Sequence, residues 1–162
     1  MTFEDSRLAS ISAKIAAGHA LDSADAQTIY RSHDLLGIAQ LANSVREKRH
    51  GRRAYIRQDL QAVPMTDADR AQRINDLLHA PAAERFEPPL DPVMSGHTYL
   101  KHVAVARLLL PQVEHIEARL CPQVENVCQL ALDFGADTLI GADTAELERQ
   151  VSAAGRELAK GA

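Results

Sequence analysis

Arg57, Asp59, Glu87, Asp91, Glu117, Arg119 and Asp143 each lie within or just after a short run of strand-forming residues. Parallel strands open their C-terminal ends onto one mouth, and ligands of such folds bind there. A mixture of carboxylates and guanidinium groups at that mouth suits a polar or anionic metabolite, with Asp59 or Glu117 as the candidate general base. Arg57, Glu87, Arg119 and Asp143 are the candidate ligand-binding residues beside them. The plainer reading is that loop ends are charged because they face water, with Asp143 no more than a helix cap.

Three further groups invite a chemical reading. Ser95-Gly96-His97 opens a helix after a proline-rich loop, and free backbone N–H groups at such a start suit a phosphate or carboxylate, with Ser95 and His97 beside it. A plain helix start explains the same residues. Lys48, Arg49, His50, Arg52 and Arg53 surround Gly51 and read either as a phosphate site or as a solvated corner between a helix and a strand. Cys121, beside Pro122 at a helix start, reads as a reactive or an ordinary thiol. Together with Cys128 and His115 it falls short of the four closely spaced ligands of a zinc site, so no metal and no cofactor are expected.

Hydrophobic spacing supplies the elements that must position these residues. Leu8, Ile11 and Ile15 predict a first helix ending at Gly18. A second carries Ala26, Ile29 and Tyr30 after Asp22 and Ser23. A third runs from near Ser32 to Arg49, with Leu35, Ala39, Ala42 and Val45 inward and Gly51 as its stop. From Arg53 onward strand-like runs alternate with helices at intervals of roughly 25–30 residues, the pattern of βαβ units.

Four such units are readable. A strand around Ala54-Tyr55-Ile56 leads to a helix carrying Ala71, Ile74, Leu77 and Leu78, and Arg85-Phe86-Glu87 leads to one carrying Leu100, Val103, Ala104, Arg107 and Leu108. His115 to Leu120 leads to a helix with Pro122 in its first turn and Val124, Val127, Cys128 and Ala131 inward. Thr138-Leu139-Ile140 leads to a last helix with Leu147, Val151, Ala154 and Leu158 inward. The prediction is an α/β fold in one domain over residues 1–162, with a helical region at 1–52 and βα units at 53–159, amounting to half of a TIM-type barrel. Strands at Ile56 and Leu139 would then be open edges. A second copy closing the barrel, or the N-terminal helices folding across, would cover them; an open sheet covered on both faces is the alternative.

Composition excludes several classes. Apolar residues at 46% and charged residues at 25% are those of a globular chain with a core. A net charge of −4 gives no general attraction to nucleic acid or an anionic membrane. No apolar run reaches the roughly 20 residues of a membrane span, and the N-terminus lacks the basic start and apolar stretch of a signal peptide. The expectation is a cytoplasmic protein with both cysteines as thiols.

Two stretches resemble known sequence. Tyr30-Arg31-Ser32-His33-Asp34-Leu35-Leu36-Gly37, followed by Leu41-Ala42, Val45-Arg46 and Arg49-His50-Gly51, is similar to the N-terminal helices of the radical-SAM enzymes of the futalosine route to menaquinone. Those are aminofutalosine synthase and dehypoxanthine futalosine cyclase. Tyr99-Leu100-Lys101, Ala104 to Leu110, His115-Ile116, Pro122 and Ala131 to Asp137 resemble that family's last barrel units. The family holds a [4Fe–4S] cluster with C-x₃-C-x₂-C. Here the corresponding Ile56-Arg57-Gln58-Asp59-Leu60 has no cysteine, and such a cluster requires thiolates. The resemblance therefore implies the family's architecture without its radical chemistry. Thr138-Leu139-Ile140-Gly141 departs from the more acidic sequence of the family, so none of its catalytic residues is carried over.

Two functions are consistent with these readings. One is a non-catalytic or auxiliary protein derived from a radical-SAM barrel, acting by self-association as a homodimer or as partner of a menaquinone-pathway-type enzyme. The other is a small cluster-free enzyme or metabolite-binding protein that uses the charged mouth.

Overall fold

The computed structural model describes residues 2–59, 84–90, 94–122 and 124–159. Helix α1 (Arg7–Ala16) buries Leu8 and Ile11. Helix α2 (Ser23–Arg31) starts with a capping box: the Asp22 carboxylate accepts from the N–H groups of Ala24 and Asp25, and the Asp25 carboxylate accepts from the N–H of Asp22. Orphan donors at the helix start are thereby satisfied in both directions.

Helix α3 (Leu35–His50) begins later than Ser32 because Asp34 takes the cap, accepting from Gly37 N–H at 2.7 Å and from Glu4 N–H at 2.8 Å. One carboxylate thus fixes the helix and the incoming chain. A Cβ on Gly37 would lie 2.5 Å from Asp34 Oδ2 and 2.9 Å from Leu8 Cδ1, so glycine alone fits between the cap and α1. Gly37→Ala is expected to cost about 2 kcal/mol by overpacking. A urea midpoint equal to that of the unaltered chain would show that the contact relaxes freely.

Of the residues predicted inward on α3, Ala42 is fully buried and Leu35, Ala39 and Val45 are half-buried against the same core, and Ile38, Leu41 and Arg46 are buried beside them. The helix packs against α1 and against helix α4 (Gly96–Leu109), which widens and turns its covered face. It ends at Gly51 with φ +59°, the predicted stop.

Strands β1 (Arg53–Gln58), β2 (Arg85–Phe86), β3 (His115–Arg119), β4 (Thr138–Gly141) and β5 (Glu157–Leu158) form one parallel sheet in the order β2-β3-β4-β1-β5. With helices α5 (Glu125–Ala131) and α6 (Thr144–Ala153), the described residues hold six helices and a five-stranded sheet, a mixed α/β fold. The order is not the consecutive one expected of a half barrel. Ile56 faces Leu139, so the two strands predicted as open edges are hydrogen-bonded neighbours. Among the described residues the edges are β2 and β5, two residues each, and strands that short offer little to pair with.

β5 was not predicted. Gly155, at φ +65°, turns the chain after α6 and sends Leu158 into register with Ala54, 44% exposed, instead of onto the inward face of a helix. Pro122 precedes α5, which starts at Glu125, and does not sit in its first turn. The helix predicted around Ala71, Ile74, Leu77 and Leu78, and the mouth position Asp91, lie outside the described residues.

Strand alternation gives the sheet two unlike faces. Ala54, Phe86, Ile116, Ala118 and Leu139 enter one core cluster with Leu8, Ile29, Leu41 and Val103 from the helices. On the other face the register brings together Tyr55, Arg57, Arg85, His115, Glu117 and Arg119, flanked by Thr138 and Ile140. Among the described residues no helix is long and apolar enough to cross a membrane.

Candidate functional site

The polar face carries two clusters, one at each end of the strands. At the C-terminal end stand Arg57, Arg85 and Arg119 against Asp59, Glu87 and Glu117. Arg57 donates to Glu117 through Nε and Nη2 at 2.9 and 2.7 Å, and Arg85 approaches the same carboxylate at 3.4 Å. Arg119 donates through Nε and Nη2 to Glu87 at 2.6 and 3.0 Å, and Nη2 also reaches Asp59 at 2.9 Å. Asp59 lies 3.7 Å from Arg57 as well, so the two pairs are joined into one lattice. Three cations meet three anions, and the sum is neutral.

Bidentate guanidinium–carboxylate bonds are among the strongest a surface can make, and they fix orientation as well as distance. The bond from Glu117 outweighs partial burial and raises the Arg57 pKa; the bond from Glu87 does the same for Arg119. Glu117 is nearly inaccessible, whereas Arg57 remains about one-third exposed. The floor of the site is therefore dry and its rim open. Backbone holds it in place: Asp59 N–H donates to the Gly141 carbonyl at 2.9 Å, and Arg119 N–H to the hydroxyl of the buried Tyr99 at 3.0 Å.

Five of the eight predicted site residues, Arg57, Asp59, Glu87, Glu117 and Arg119, meet in this lattice. The other three do not. Ser95 is the N-cap of α4, accepting from Thr98 N–H at 3.2 Å, and His97 is exposed on the first turn of that helix. Asp143 caps α6 by accepting from the N–H groups of Ala145 and Glu146. For Asp59 and Glu117 as general bases, the lone pairs facing the arginines are already engaged. Ligand exchange at the arginines is the simpler chemistry for this arrangement.

The second cluster closes the N-terminal end. Asp137, fully buried just before β4, accepts on Oδ1 from Arg107 and from Ile116 N–H at 2.9 Å, and on Oδ2 from His115 at 2.6 Å and Thr138 at 3.0 Å. Arg107, itself buried, also donates to the carbonyls of Gly135 at 2.8 Å and Glu114 at 3.2 Å. Gly135, at φ +104°, must be glycine because a Cβ would lie 2.7 Å from that of Arg107. His50 stacks on His115 at 5.5 Å and donates to the Glu114 carbonyl. Burial would raise the Asp137 pKa, but the His115 bond and the charge of Arg107 outweigh it and hold the carboxyl below its usual range. Burial pushes the His50 imidazole down against the pull of Asp137.

His50, His115 and Asp137 bring ligand-type atoms within 4.8 Å of one another, the approach a metal ion would need. Both Asp137 oxygens nevertheless have their donors, and Arg107 already supplies the compensating positive charge. A structural brace is the arrangement that satisfies every group. His115 is thus committed to Asp137 and not to the cysteines it was considered with.

The basic corner around Gly51 resolves the same way. Arg49 donates to the carbonyls of Val113 and Pro111, Arg52 to that of Gly155 at 2.8 Å, and buried Arg46 to those of Gly51 and Arg53 at 2.9 and 3.1 Å. These cations tie turns together. Cys128 is buried, which pushes its thiol up to about 12, so it packs and does not react.

Arg85 and the Arg107–Asp137 pair were not singled out from the sequence as site residues. A signal for the latter was present: Arg107 falls on the inward stripe of an otherwise apolar helix, where a charge demands a buried partner. Compared with family models, with curated proteins and with solved structures, the chain matches none of them.

Proposed function

We propose that this chain is a cluster-free relative of the futalosine-type radical-SAM barrels that binds a small polar or anionic metabolite at the charged end of its sheet. The observation that carries the binding reading is the convergence of Arg57, Arg85 and Arg119 on one sheet face, with Glu117 as their buried floor and Glu87, on Arg119, as the partly exposed carboxylate that an incoming acid can replace. A ligand carboxylate or phosphate takes the fork of Arg119 and displaces the partly exposed Glu87 toward water.

The kinship is supported by where the resembling residues stand. Lys101 donates to the carbonyls of Tyr30 at 3.0 Å and Ser32 at 2.5 Å, which fastens the two resembling stretches to each other. His50, Arg107, His115 and Asp137 come from both stretches and make up the brace. All of these serve stability, as expected of the N-terminal end of such a sheet. The pairing of β1 with β4 also fits, because a closed barrel places its first and last strands side by side, and removing the middle leaves that contact intact. The charged mouth lies mostly outside the resembling stretches and is where this chain has its own chemistry.

Association with itself or a partner enzyme was motivated by open edges at β1 and β4. With those strands paired, that motive is weak, and ligand binding is the better reading. Free thiols at Cys121 and Cys128 fit a reducing cytoplasm. The test is a thermal-shift panel of carboxylate- and phosphate-bearing metabolites. At a hundredfold excess over Kd a true ligand stabilises by about 2.7 kcal/mol. A panel in which no acid raises the melting temperature, while light scattering finds a dimer, would return the choice to the association reading.

A further inference from the structure

From a cavity remote from the charged face, we infer that the chain has a second binding site, for an uncharged aromatic molecule, between α2, α4 and the segment following β2. The cavity has a volume of about 360 Å³. Its walls include Ala26 and Tyr30 from α2, Phe86 from β2, and His102, Val105 and Leu109 from α4. Phe86 projects from the opposite side of β2 to Arg85, so this cavity and the charged lattice lie on different faces of the sheet.

The walls are held apart. Lys101, anchored to the Tyr30 and Ser32 carbonyls, fixes the end of α2 against α4 and sets the gap between them. The Tyr30 ring stands edge-on to His102 at 5.4 Å and stays 40% exposed at the mouth instead of falling inward. His102 Nδ1 lies 3.4 Å from the Pro89 carbonyl, which steadies the ring. A preformed, mainly apolar hollow of this size with a few polar groups at its rim is the form that small-molecule sites take.

The chemistry of the lining selects the ligand. No Asp, Glu, Lys or Arg is among the described residues that line the cavity, in a chain where such residues make up 25%. Among the described residues a charged molecule would find no carboxylate, ammonium or guanidinium group there to replace its hydration. A flat ring is met by the edges and faces of Tyr30, His102 and Phe86, a geometry aromatic pairs favour.

Indole is the probe, with indole-3-acetate and tryptamine as its charged counterparts on the same ring. Carbon–proton NMR of the ring resonances reads the site directly. Indole is expected to shift Tyr30 and His102 saturably, and both charged analogues to bind at least tenfold more weakly. Ala26→Phe, which fills the hollow, is expected to weaken indole at least tenfold at an unchanged melting temperature. Should that variant misfold, Tyr30→Ala at an exposed position is expected to give the same loss. Absence of saturable shifts at Tyr30 and His102, or charged analogues that bind as well as indole, would overturn the assignment. Binding of indole is read at residues the charged lattice does not contain, so this result and that of the acid panel stand or fall separately.

Discussion

Asp137→Asn is expected to lower the free energy of unfolding by about 3–5 kcal/mol, the cost of leaving a buried charge without its partner. Asparagine keeps the shape and can still accept from Ile116 N–H, but it cannot neutralise Arg107, which is 1% exposed. Its side-chain nitrogen, placed at the Oδ2 position, is a donor that His115 can meet only by giving up the proton on Nδ1. At this chain length each kcal/mol corresponds to about 2–4 °C, so the melting temperature is expected to fall by roughly 10 °C. Arg107→Met combined with Asp137→Asn is expected to be milder than the sum of the two, because the stranded charge goes with its partner. A single variant within about 0.5 kcal/mol of the unaltered chain, the range of an ordinary surface change, would remove the brace from this account.

The same cluster sets the direction of the pH response. Asp137 has a folded pKa below its unfolded value of about 3.9, so its contribution is complete above that pH and is lost as pH falls through the folded value. His50 is also depressed, from an unfolded value of about 6.5. Protons therefore bind the unfolded chain first at both groups, and acid destabilises in two steps, one beginning below about pH 6.5 and one below about pH 4. The lower step is expected to flatten in Asp137→Asn, measured as urea midpoints against pH.

The α/β class was legible because its signals are local. Asp22, Asp34, Ser95 and Asp143 lie at helix starts, Gly51 lies at an α3 stop that needs positive φ, and the spacing in α4 marked its buried residues. Strand order was not legible, since nothing in Ile56 or Leu139 says which strand each will pair with across 83 positions of sequence. The helix-forming spacing of Leu147, Val151, Ala154 and Leu158 ran past the real end because Gly155 overrides periodicity. At the site, counting charges near strand ends found the five lattice residues. It also drew in Asp143, whose carboxylate closes a helix start, as the Ser95 hydroxyl of the Ser95-Gly96-His97 motif does at the start of α4. The brace stayed hidden because its members come from four separate segments and only tertiary packing makes them neighbours.

Arg119→Met is expected to weaken any acid found by the stabilisation panel by roughly ten- to a hundredfold, the loss of a hydrogen-bonded charge worth about 1.5–3 kcal/mol. Arg119 is the hinge of the lattice: Glu87 and Asp59 both accept from it, and without it two carboxylates face each other with only Arg57 nearby, 3.7 Å from Asp59. Methionine preserves the stem that packs on the sheet while removing the fork. Arg119→Lys sharpens the comparison, because a lysine keeps the charge and loses bidentate geometry. If orientation of a planar acid is what the site provides, lysine is expected to recover less than half of the lost binding free energy; if charge alone matters, it recovers nearly all. Ligand-induced stabilisation that is unchanged in Arg119→Met, in a chain that still folds, would place the acid elsewhere and leave the lattice a structural device like the brace beneath it.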